Sequence, residues 1–160
     1  MYRRSILEEI GDGPLACVLP LLALLAFVAF LAALGRAARL VTAENRRLEP
    51  GQVWLNLVPV FTLVWLPITI DRLAESVKRE LLDRGQEVEG STYGRAAGLA
   101  WLGCWAVAFL FVAALHGPPP LGWLIGVVGF VCWVSYWAQV NGLAARLKSR
   151  QYTPPADEGW

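Results

Sequence analysis

Charge is absent from three long stretches of this chain, and their lengths set the first expectation. No Asp, Glu, Lys or Arg occurs across residues 96–145, a run of 50. Two shorter runs cover 13–35, with 23 residues, and 50–70, with 21. An α-helix rises about 1.5 Å per residue, so roughly 20 apolar residues cross a ~30 Å hydrocarbon layer. The pattern predicts an all-α integral membrane protein with four hydrophobic helical segments, at 14–35, 53–70, 95–115 and 121–145. The 160 residues, 56% hydrophobic and 17% charged, form a single membrane domain.

The pieces between these segments are read from their punctuation. Residues 1–13 form an interfacial segment, with Ser5 and Glu8 in capping-box spacing ahead of a break at 11–14. Glu8, Glu9 and Asp12, with the long apolar run behind them, argue for a retained first span rather than a cleaved signal peptide. A polar connector covers 36–52. Pro59 and Pro67 interrupt the second membrane segment, so it is expected to be broken, with Trp54 and Trp65 at the interface. From Asp71 the pattern turns amphipathic. Leu73, Val77 and Leu81 make a stripe, and Glu75 with Arg79 and Glu80 with Arg84 are i,i+4 pairs. This predicts a cytoplasmic amphipathic helix over 71–85, stopped by Gly85. Residues 146–160 read as a cytoplasmic tail.

Orientation follows from the basic residues. The turn at 116–120 has none, and both flanks beyond the third and fourth spans are basic. The turn is therefore extracytoplasmic and the C-terminus cytoplasmic. If 53–70 crosses, ten basic residues lie inside and four outside. If it turns back, twelve lie inside and two outside, which the charge rule prefers. Backbone inside a bilayer needs protein or a watery cavity to cover it, and so small a bundle offers little. Four crossings are expected on that ground.

Chemistry is sparse. Fourteen basic against thirteen acidic residues leave no stripe for nucleic acid. One His and three Cys do not make a closed zinc site. No ionisable group falls inside the spans, and no catalytic triad, paired carboxylate or phosphate loop is present. No catalytic residue, metal or cofactor is expected. Asn56 is read either as satisfying backbone freed by Pro59 or as coordinating a substrate. His116 is read as a solvated turn residue, with ligation of a pigment as the sharper alternative.

Packing signals are denser. Gly122, Gly126 and Gly129 form a small-residue face, and Gly94 with Gly98 repeat the spacing. Trp101 with Trp105, and Trp133 with Trp137, are i,i+4 pairs among eight tryptophans. Each set fits packing within the bundle or a face for a partner. The expected function is a non-catalytic accessory or scaffold subunit of a larger membrane complex. Its partners would be the lipid bilayer and other membrane subunits, or a second copy in a homo-oligomer. The alternatives are a small oligomeric transporter or channel component, and an apolar cofactor carrier.

One stretch is distinctive: N-L-V-P-V-F-T-L-V-W at 56–65, running into R-L-A-E-S-V-K-R-E-L at 72–81. With Tyr93-Gly94 and C-W-V-S-Y-W at 132–137, it resembles a group of uncharacterised small bacterial membrane proteins, a domain-of-unknown-function group. The likeness covers about residues 50–147. It implies the four-segment layout and a place in the bacterial inner membrane, and it implies no activity.

Overall fold

The computed structural model describes residues 15–86, 90–114 and 119–149. The interfacial segment at 1–13, His116 with most of its turn, and the tail from 150 lie outside the described residues. Helix α1 spans Leu15–Leu40. A short 3-10 helix, Gln52–Leu57, precedes α2, Pro59–Asp83. Helix α3, Arg95–Phe109, continues as a π-helical turn over Leu110–Ala114, and α4 spans Pro119–Ser149. Among the described residues there are only helices.

Four hydrophobic segments were expected to be four crossing helices, and the structure corrects that. Among the described residues two helices are long and apolar enough to cross a membrane, Cys17–Leu40 and Pro120–Ser149, while Arg95–Phe109 is a shorter apolar helix. The second segment is not an independent span. Its first part is the 3-10 helix, and its remainder is the opening of α2, which runs unbroken into the stretch read as a separate amphipathic helix. The break falls at Pro59 alone. Proline occupies the first helical turn, where its missing N–H costs nothing. Pro67 sits inside the continuous helix.

The hydrogen bonds give the direction of each element. The Thr42 amide donates to Glu80 Oε2 at 3.0 Å, and the Arg47 amide to Ser76 Oγ at 2.8 Å. The connector therefore starts beside the C-terminal end of α2. It then climbs: Trp65 Nε1 donates to the Gln52 carbonyl at 2.9 Å, and Asn56 Nδ2 to Thr69 Oγ1 at 3.1 Å. At Val58 the chain reverses and α2 descends. Residues 53–70 thus enter and leave at the same end of the bundle. Arg95 of α3 pairs with Asp71 at 2.6 Å, and Arg84 Nη1 donates to the Leu147 carbonyl of α4 at 2.9 Å. The C-termini of α1, α2 and α4 and the start of α3 share this polar end.

The core occupies the polar end and the middle. Phe30, Leu31, Leu34, Ile70, Val77, Leu81, Tyr136 and Val140 are buried there. Towards the other end burial fails: every residue from 17 to 25 is exposed, as are Val60, Leu63, Phe109, Trp123 and Leu124. Close approach of α2 and α3 depends on Gly98, where an added Cβ would lie 2.8 Å from Ile70 Cγ2. Gly94 is held at φ +84 in the left-handed region, with Tyr136 Cε2 3.1 Å from a notional Cβ.

Gly98→Ala is expected to destabilise the bundle by about 1–3 kcal/mol through overpacking. Ile70→Ala removes the clashing methyl, so the double variant should lose less than the two single losses summed. Thermal unfolding in detergent, followed by circular dichroism, measures the coupling. Additive losses would show that the two helices do not meet here.

Candidate functional site

Three local arrangements bring chemistry together, at successive depths along the bundle. The first is the polar closure around Glu80. Its side chain is 3% exposed. Oε2 accepts from the Thr42 amide, Thr42 Oγ1 at 2.7 Å and Asn45 Nδ2 at 3.1 Å. Oε1 accepts from Arg84 Nε at 2.9 Å and Nη2 at 2.5 Å. Burial pushes the carboxyl pKa up, but the donors from Thr42, Asn45 and Arg84 outweigh it and hold the group below its ordinary value. Asn45 Nδ2 also reaches Asp83 at 2.6 Å.

The second is an aromatic cluster at mid-depth. The Phe30 ring, fully buried, meets Trp101 at 5.6 Å and 81°, Trp133 at 5.7 Å, Tyr136 at 5.9 Å and Trp137 at 6.1 Å. Edge-to-face contacts of this kind add about 0.5–1.5 kcal/mol each beyond burial. Trp101, Trp133 and Trp137 thus pack around a residue of α1, with Trp101 buried and Trp133 and Trp137 half-buried. The indole N–H groups of Trp133 and Trp137 are buried without a hydrogen-bond acceptor among the described residues. Trp105 differs. It is 55% exposed, beside Gly129, whose added Cβ would meet Cys104 Cβ at 3.2 Å.

The small-residue faces divide in the same way. Gly94, Gly98 and Gly129 make contacts within the bundle, while Gly103 and Gly126 open onto free space. Gly122, one turn before Gly126 on α4, is half-buried.

The third is the reversing segment and the groove at its base. Asn56 is buried, with Nδ2 bonded to the Val53 carbonyl at 2.9 Å and to Thr69, and Oδ1 without a partner. Its own carbonyl accepts from Thr62 Oγ1 at 2.5 Å. These bonds tie the 3-10 helix to α2 across the turn at Pro59, with Thr62 rather than the Asn56 side chain serving the carbonyl nearest the proline. Below it, Arg46 and Arg47 of the connector and Asp71, Arg72, Glu75 and Arg79 of α2 line a groove of about 500 Å³. Arg79 holds Glu75 at 2.8 Å, and that contact keeps the Glu75 carboxyl below its usual range.

No sequence pattern marked Phe30, Thr42 or the four-arginine groove. The Glu80–Arg84 spacing was visible, but only as a surface helix pair. Cys17, Cys104 and Cys132 are free thiols. Among the described residues no three His, Cys, Asp or Glu side chains gather as a metal would need.

Glu80 makes the polar closure pH-dependent. Its folded pKa lies below the ordinary 4.5, so its contribution is complete above that value and fades as pH falls through the folded value. Glu80→Gln should flatten the acid limb of a thermal-stability profile recorded from pH 7 to pH 3. Glu80→Ala, which strands Arg84 and the Thr42 donors, should cost about 3–5 kcal/mol at neutral pH. An unchanged acid limb in Glu80→Gln would place the pH dependence elsewhere.

No protein-family model, curated protein or solved structure matches this chain, so the functional reading rests on the geometry above.

Proposed function

We propose that this protein is a non-catalytic accessory or scaffold subunit of a bacterial inner-membrane assembly, acting through helix packing. The observation that carries the reading is the bare apolar end of the bundle. The core helix of a soluble protein is mostly buried, whereas only 22% and 11% of the apolar windows of α1 and α4 are buried. All residues from 17 to 25 stand clear of the rest of the chain, and Gly103 and Gly126 offer close approach to a second helix. A surface of this kind suits lipid and another membrane helix together.

In this arrangement α1, α3 with its π turn, and α4 cross the bilayer. Residues 53–70 form a re-entrant segment, whose turn backbone is satisfied by the 3-10 helix and by the bonds around Asn56, while Val53, Asn56, Thr69 and Ile70 pack against the bundle. The polar end is cytoplasmic, the N-terminus extracytoplasmic, and the basic residues divide twelve inside to two outside. The stretch of α2 up to Ile70 contains 12 residues, about 18 Å of rise, which suits entering a ~30 Å layer but not traversing it. A small oligomeric transporter is the second reading. The unpartnered Asn56 Oδ1 at the turn of the re-entrant segment favours it.

Two measurements test the proposal. With the native cysteines replaced by alanine, Glu44→Cys and Ser91→Cys should react with an impermeant thiol reagent from the same side, the cytoplasmic one. Four crossings would put them on opposite sides. Gly126→Leu has space within the bundle, so its helix content should hold while the native mass of the assembly falls in mild detergent. An unchanged mass would count against α4 as a contact face. Altered flux through the homo-oligomer in Asn56→Ala, with assembly intact, would favour transport instead.

A further inference from the structure

The groove beneath the re-entrant segment has the composition of an anion site placed where a lipid would reach it. Four guanidinium groups, those of Arg46, Arg47, Arg72 and Arg79, line it together with two carboxylates, Asp71 and Glu75. Both acids are already engaged, Asp71 by Arg95 and Glu75 by Arg79. Arg46 also pairs with Glu49 at 3.7 Å, whereas Arg47 and Arg72 make no direct ion pair among the described residues. The connector is anchored so that its arginines stay beside α2. The Arg47 amide donates to Ser76 Oγ, and Arg46 Nη2 donates to the Val41 carbonyl at 2.9 Å. Arg46 Nε is buried with no acceptor. Like charges gathered in this way repel one another, and an anion relieves the repulsion.

The surroundings select the anion. The Arg72 guanidinium lies over the Trp65 ring, 5.4 Å from its centroid, and Trp65 packs on Phe61 at 5.5 Å. Phe61 is exposed, and so are Val60 and Val64 along the same length of helix. From the groove towards the apolar end, the surface thus passes from arginines through an indole to bare hydrocarbon-compatible side chains. That gradient matches an amphiphile with a phosphate head and acyl chains. A soluble anion uses only the lower part of it.

We infer that the groove binds the phosphodiester headgroup of an anionic membrane phospholipid, with the acyl chains lying along Phe61 and Val64. Guanidinium groups suit phosphate because their donor fork fits two of its oxygens. Each basic side chain near an anionic headgroup favours binding roughly fivefold. The inference rests on the membrane embedding proposed above.

The test uses the full chain in neutral detergent micelles doped with brominated phosphatidylglycerol or brominated phosphatidylcholine, with tryptophan quenching as the readout. The expected result is half-quenching by the anionic lipid at a mole fraction about fivefold lower than by the zwitterionic one. Arg47→Gln with Arg72→Gln should abolish this preference. Arg36→Gln with Arg39→Gln removes the same charge from exposed positions on α1 and should preserve it. Equal quenching by the two lipids in the native chain would overturn the headgroup site while leaving the embedding intact. No quenching by either would overturn both. Loss of the preference on adding inorganic phosphate, but not chloride at equal ionic strength, would make the groove a soluble-anion site and overturn the lipid assignment.

Discussion

A single carboxylate, withdrawn from water, closes the polar end of this bundle. Glu80 takes donors from the connector after α1 and from Arg84, and Arg84 reaches on to the last turn of α4. In lipid, apolar side chains gain nothing from one another that the acyl chains do not already provide. Directional polar contacts hold this end together, while the apolar windows of α1 and α4 stay largely exposed. The Glu80 contacts pin the start of the connector to α2, and the bonds from Arg47 to Ser76 and from Asn56 to Thr69 continue that attachment up to the reversal at Val58.

Above that closure the aromatic cluster sets the spacing of α1, α3 and α4. A single ring from α1, Phe30, fills the space that three indoles and Tyr136 leave between α3 and α4. On the α2 side the spacing is set by absence. Gly98 and Ile70 touch because one of them has no side chain. A bulky cluster and a bare backbone thus work at the same level of the bundle, one holding helices apart and the other letting them meet.

The charge-free runs made α1, α3 and α4 legible, because length and hydropathy are local properties of a helix. The path of residues 53–70 was not legible in the same way. Hydropathy records that a segment is apolar, but it carries no sign for the direction in which the chain leaves. The distribution of basic residues bears on direction, and it prefers the arrangement in which the segment turns back. Pro59 marked a helix boundary correctly, while Pro67 carried the same letter inside an unbroken helix. Trp133 and Trp137 were legible as a stripe, yet which way the stripe faced depended on Phe30, about a hundred residues earlier in the chain. The acidic residue in the Glu80–Arg84 pair gave no hint of its burial, because Thr42 and Asn45, which bury it, come from another element. The distinctive stretch from Asn56 to Trp65 is the one that builds the reversal.

The contacts that hold the reversing segment are of two ranges, and biosynthesis meets them in a fixed order. Asn56 with Thr69 and Trp65 with Gln52 are each 13 positions apart, whereas Thr42 and Glu80 are 38 apart. The short-range bonds are available as soon as the turn itself has been made. The long-range ones wait for the far end of α2, and the bond from Arg84 to Leu147, 63 positions on, waits for nearly the whole chain. The turn is therefore bonded to itself before its long-range partners exist. Its fixation is among the last events of assembly, although its sequence lies in the first half of the protein.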